Sequence, residues 1–222
     1  MNRFFNSWIL LFTILVFPFA LAVGLNEDFE FIGLKIQGEE FEYKTIVFSS
    51  VAGVLFLLGA VKATKKWLGI RVIKQTKRFK FTCELSQERK KRVLVYNGIE
   101  IVFLLLFTGL FGYLSADTLV LALVYFALAL EHFLASFVGV TKNKYGVGVS
   151  TKALIRVDRE VNVVYFKGLQ KVTKHQDTLY FDYVNGLTLH IPLNVIPKNK
   201  EDEFYTTLRT YVDPNKVYYS GF

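Results

Sequence analysis

From Val93 to Val138 the chain is apolar almost without pause, interrupted only at Ser115-Ala116-Asp117. Each side of that break holds about 20 residues, enough to cross a hydrocarbon core of roughly 30 Å as a helix. A break this short predicts an antiparallel transmembrane hairpin, with helices over about 93–114 and 118–138. The segments flanking the hairpin then lie on the same side of a membrane. Two further apolar runs come earlier, over about 4–23 and 45–63. In the first, Ala20-Leu21-Ala22 reads either as a signal-peptidase site or as part of a retained helix with Pro18 near its far end. The second is short, and reaches its span if the lysines at its end snorkel. Residues 1–139 are thus expected to be a four-helix transmembrane region.

Polar and apolar positions alternate elsewhere. Within 24–44, Phe29, Phe31, Leu34 and Ile36, then Phe41 and Tyr43, suggest a short hairpin turning near Gln37-Gly38. Phe79, Phe81, Cys83 and Leu85 alternate like a half-buried strand, and Ser86 is placed to cap the next helix. After residue 140 the period is two through a series of runs: KYGVGVS, ALIRV, a DRE turn, VNVVYF, LQKVTKH, TLYFDYV and LTLHIPL. Asn185-Gly186 between the last two runs predicts a hairpin with positive φ at both central positions. A helix over about 200–212 closes the chain, with Asn199 as cap and Glu201, Asp202 and Glu203 in its first turn. Phe204, Leu208 and Tyr211 form its apolar stripe. The fold class expected is therefore membrane α plus soluble β, with a small antiparallel sheet and C-terminal helix over 140–222.

Charge fixes the sides. The chain carries 222 residues, 52% of them hydrophobic, a mean hydropathy of +0.33 and a formal charge of +8. Segment 24–44 has a net charge of −4, whereas 62–92 has +10. The positive-inside rule places the basic segment in the cytoplasm and the acidic one outside, with both termini cytoplasmic. Cys83 is the single cysteine, so neither an intramolecular disulfide nor a cysteine metal cluster can form.

The stretch IPLNVIPKNKEDEFYTTLRTYV, coming after strands and an Asn-Gly hairpin, resembles the end of bacterial pleckstrin-homology-like (PH-like) domains attached to small membrane proteins. The matching residues are Ile196, Pro197 and Lys198, then Glu201 to Tyr211, and the resemblance covers about 144–212. It implies a PH-like β domain and a bacterial inner membrane. Two helices commonly precede the domain in that family, whereas four are expected here, and the family has no general activity to carry over.

Glu100, Glu131 and His132 are the ionisable residues well inside the expected helices. Glu100 and Glu131 stand about equally far from the turn, hence at similar depth. Such groups are costly in lipid and turn inward, so a Glu100–His132 or Glu100–Glu131 pair is expected to hold a proton or an ion, or else to lock the hairpin by a hydrogen bond or snorkel to the interface. Lys62, Lys65, Lys66, Trp67, Arg71, Lys74, Lys77, Arg78 and Lys80 are candidates for anionic lipid headgroups. His175 and His190 have no ligand-spaced partners, and GVGVS lacks the ending of a phosphate loop. No cofactor, metal or nucleic acid is expected. The function expected is a non-enzymatic membrane interaction or scaffold subunit, binding a partner protein or another copy of itself through its β domain. The alternative is ion- or proton-coupled transport through Glu100, Glu131 and His132.

Overall fold

The structure, a computed structural model, describes residues 2–25, 29–31, 34–36, 43–212 and 217–221. It falls into two compact units, Met1–Thr64 with Asn97–Leu134 and Lys65–Tyr96 with Ala135–Phe222.

Four helices dominate the first half of the chain: α1 (Asn2–Leu25), α2 (Lys44–Ile73), α3 (Gln87–Leu114) and α4 (Leu119–Ser136). A π turn, Phe137–Thr141, prolongs α4. Each of the four is long and apolar enough to cross a membrane. Their ends depart from expectation where the basic segment begins. Helix α2 runs on to Ile73 rather than stopping near 63, because nothing in 62–73 breaks a helix and Ile70 and Ile73 are still buried. Helix α3 starts at Gln87, in the basic segment, where Ser86 Oγ accepts the Arg89 N–H at 3.1 Å. Between α1 and α2, strands β1 (Phe29–Phe31) and β2 (Leu34–Ile36) pair antiparallel with Phe31 opposite Leu34. That pair closes ahead of the expected turn at Gln37-Gly38, which lies outside the described residues.

In the helical unit α2 and α4 each bury a stripe at three-and-four spacing. On α2 it is Phe48, Ala52, Leu55, Gly59 and Lys62; on α4 it is Leu121, Tyr125, Leu128 and His132. The other faces stay apolar and exposed, as Leu57 (64%) and Leu106 (62%) illustrate, which suits lipid as the surrounding solvent. Phe107, Phe111 and Tyr125 pack with ring centroids 5.4–6.0 Å apart, and the Tyr125 and Thr13 hydroxyls are hydrogen-bonded. At the α3–α4 turn, Thr118 Oγ1 donates to the Phe111 carbonyl at 2.5 Å. Asp117 accepts from Thr45 at 2.7 Å and meets Lys44 at 3.4 Å; these contacts hold its carboxyl below the usual range.

The other unit is a β domain of two four-stranded sheets. One is antiparallel, in the order β3 (Phe81–Glu84), β4 (Gly146–Val149), β5 (Ala153–Val157), β6 (Val161–Tyr165). The second joins β7 (Leu169–His175), β8 (Thr178–Tyr183) and β9 (Thr188–Pro192) antiparallel, and β10 (Tyr218–Ser220) adds to β7 in parallel. Expectation is corrected at two points. The second sheet is mixed rather than purely antiparallel. And the domain, expected to begin at 140, takes a strand from before α3: Phe81 pairs with Val149 and Cys83 with Val147. The alternation at 79–85 is thus a strand whose partner lies beyond the helical hairpin. The GVGV of β4 explains the fit. Val147 and Val149 are fully buried, while a Cβ on Gly146 would lie 2.5 Å from the Cys83 carbonyl oxygen and one on Gly148 2.7 Å from the Phe79 ring.

Helix α5 (Glu201–Tyr211) closes the domain, with Phe204 and Leu208 buried and Phe204 edge-on to Phe81 at 5.7 Å. Asn199 does not cap it. A 3₁₀ turn, Lys198–Lys200, comes first, and Lys200 is the capping position without a side-chain bond. Glu201, Asp202 and Glu203 answer the helix dipole instead. In the β8–β9 connection only Gly186 has positive φ (78°), while Asn185 Oδ1 accepts the Leu187 N–H at 3.2 Å. The hairpin is therefore joined by four residues, not by a two-residue turn with both centres left-handed.

Candidate functional site

The stripes bring four polar side chains together inside the helical unit. Lys62 Nζ on α2 donates to Asn6 Oδ1 on α1 at 2.8 Å and lies 3.3 Å from His132 Nε2 on α4. His132 Nδ1 is 3.2 Å from Glu100 Oε2 on α3. His132 Nε2 can accept from the Lys62 ammonium, and Nδ1 lies within ion-pair distance of the Glu100 carboxylate. Lys62 and His132 are 8% and 6% exposed, so an opposite charge and hydrogen bonds are what make their burial tolerable. One residue from each helix takes part, which ties all four at one level.

A cavity of about 340 Å³ adjoins this cluster. Its polar end is Asn6, Lys62, Glu100, Glu131 and His132. Its walls are apolar and aromatic, with Leu104, Phe107, Tyr125 and Leu128 among them. Leu10 and Phe103, 58% and 57% exposed, form a rim. Of the residues singled out in the sequence, Glu100 and His132 meet as one of the two expected pairs, and Glu131 lines the same cavity. Sequence reasoning misses Lys62 and Asn6 as members of this site. A signal for Lys62 exists in the sequence: it continues the 48-52-55-59 spacing of small and apolar residues. Asn6 is a lone polar residue at the start of an apolar run and carries no such signal.

The lipid-headgroup candidates divide by burial. Lys62 and Lys66 are buried on α2 and so do not present themselves to a surface. Lys65 is half-buried. Trp67, Arg71, Lys74, Lys77, Arg78 and Lys80 are exposed. Lys74 also has a basic neighbour the sequence does not reveal: hydrogen bonding and the charge of Lys74 push the Lys144 ammonium below its ordinary range. Lys74 and Lys144 line one cleft with Thr76, Thr82 and Asn143.

Elsewhere in the β domain, Asp158 is fully buried and accepts from Arg89 Nη2 and Nε at 2.7 and 3.0 Å, with Arg156 Nε at 3.6 Å. Burial lowers the Arg156 guanidinium from its ordinary range, and Asp158 opposes that shift. Burial likewise pushes the Cys83 thiol up to about 12, which makes it a packing residue rather than a nucleophile. His175 and His190 are exposed, His190 lying 6.3 Å from the Tyr180 ring. Among the described residues no group of three or more His, Cys, Asp or Glu is placed to hold a metal ion. No family model, curated protein or solved structure matches this chain.

Proposed function

We propose that this is a non-enzymatic integral membrane protein of a bacterial inner membrane whose cytoplasmic β domain is PH-like and binds a partner protein or a second copy. Two sheets closed by α5 after the Ile196-Pro197-Lys198 turn support the PH-like reading. The +10 charge of 62–92 supports the sidedness.

The observation that carries the interaction reading is an exposed apolar tip. Tyr165, Val184 and Leu187 are 62%, 75% and 49% exposed. Hydrogen bonds hold them in one place: Tyr183 Oη donates to the Tyr165 carbonyl at 2.7 Å, and the Val184 N–H donates to the Gly168 carbonyl at 3.1 Å. Along the β5–β6 hairpin this tip is at the end opposite the Asp158–Glu160 turn, whose Arg159 stacks over Tyr96 of α3 at 5.4 Å. A grouped apolar surface on a water-exposed domain marks a contact site. Anionic lipid assists through Trp67, Arg71, Lys74, Lys77, Arg78 and Lys80, with Lys144 beside Lys74.

Extraction in mild detergent, then cross-linking and mass spectrometry, tests this. A partner or a second copy cross-linked through Lys152 or Lys167, and lost when Tyr165→Ser, Val184→Asp and Leu187→Ser are combined, is the expected result. Unchanged association in that triple variant removes the tip from the interface.

The 3.2 Å contact of Glu100 with His132 favours a second reading, ion- or proton-coupled transport. It requires Glu100→Gln and Glu131→Gln proteins that still assemble to lose ion or proton flux in reconstituted vesicles. Variants behaving like the parent end that reading.

A further inference from the structure

We infer that the cavity of the helical unit is a binding site for a lipid-soluble quinone: a planar ring carrying carbonyl oxygens on an apolar tail. All the cavity's lining residues lie on helices long and apolar enough to cross a membrane, so an occupant enters from the bilayer and is itself lipid-soluble. The exposed Leu10 and Phe103 mark the entry. A volume of about 340 Å³ sits at the small end of the range for organic ligands. It accommodates a ring head with the first part of a tail, the remainder leaving past the rim.

The polar end selects the head. Lys62 and Asn6 bring hydrogen-bond donors, and a carbonyl oxygen is the acceptor they suit. Glu100 and Glu131 both line the polar end, so a carboxylate or phosphate head meets carboxyl groups there. A cationic head meets the ammonium of Lys62 instead. A neutral acceptor avoids both. Phe103, Phe107 and Tyr125 favour a flat ring over two flexible acyl chains, and Phe107 and Tyr125 already stand 5.5 Å apart in a tilted pair. This inference is independent of the β-domain reading, since every residue in it belongs to the helical unit.

The test is equilibrium binding of decylubiquinone to the full chain in lipid nanodiscs, with empty nanodiscs subtracted. One saturable site per chain is expected. Lys62→Met weakens it at least about tenfold, the loss of a charged hydrogen-bond donor. Leu10→Trp, at a position already turned outward, blocks the entry by a similar factor without disturbing the polar cluster. Palmitate, dodecylamine and dioleoylglycerol compete poorly. Absence of a saturable component overturns the inference, as does unchanged affinity in both variants. Palmitate displacing the probe at equal concentration makes this an anion site, and dioleoylglycerol doing so makes it a diacyl-lipid site; either result also overturns it. Should Lys62→Met fail to assemble, Leu10→Trp alone decides.

Discussion

The helical unit and the β domain both bury apolar side chains but differ in what faces outward and in the polar residues admitted inside. In the β domain the interior is Phe81, Val147, Leu154, Phe181, Ile191 and Phe204, and charge is buried at Asp158 only with guanidinium groups around it. In the helical unit the outward faces are the more uniformly apolar, and the inward stripes hold Gly59, Ala52, Thr13, Asn97, Lys62 and His132. Water drives apolar groups together in the first case. Lipid gives no such drive in the second, where close packing at small residues and hydrogen bonds between helices do the assembling. The same side chain therefore carries different weight in each region, and that difference can be measured.

The sharpest contrast is between two apolar truncations. Phe181→Ala, in the β core, is expected to cost about 3–5 kcal/mol. Leu57→Ala, on an outward face of α2, should stay within about 0.5 kcal/mol. Hydrogen exchange of the full chain in detergent reads both, and comparable losses would sink that contrast. Asp158→Ala removes the carboxylate from two guanidinium groups and should cost a similar amount, about 3–5 kcal/mol, with protection lost first around β5 and β6. If protection there is unchanged, the ion cluster is ornamental to the domain.

Cys83 tests the strand taken from before α3. With its thiol near 12 instead of about 9, maleimide labelling at pH 8 should run about 1,000-fold slower in the folded chain than in denaturant. Between about 9 and 12 the folded state keeps a proton that the unfolded chain has released, so stability falls as pH rises through that window. Rapid labelling of native protein would mean that β3 is not paired with β4. The smallest effect belongs to the bundle. Tyr125→Phe removes the hydroxyl bonded to Thr13 and should cost about 0.6–1.7 kcal/mol, the range for hydrogen bonds between membrane helices. A loss of several kcal/mol in a thermal melt would show that this bundle depends on such bonds more than on close packing.

Much of this architecture can be read from the chain because it is local. A membrane span needs only length and hydropathy, so four apolar runs suffice to place α1 to α4, although they end α2 ten residues early, where charge begins. Alternation marks the strands and the Asn185-Gly186 hairpin, and three acidic residues mark the start of α5, although the pattern assigns its cap to Asn199. Glu100 and His132 stand out because ionisable groups in apolar helices are few. What only the tertiary structure decided is which distant pieces meet. Nothing local in Phe81–Glu84 says that its partner lies after a helical hairpin; that pairing rests on Gly146 and Gly148 letting a neighbouring backbone and ring come close. Lys62 reads from sequence as a surface cation because it opens a basic segment. It is buried because the stripe through Phe48, Ala52, Leu55 and Gly59 turns it inward, and in a helix apolar on every side hydrophobicity alone does not mark which face that is.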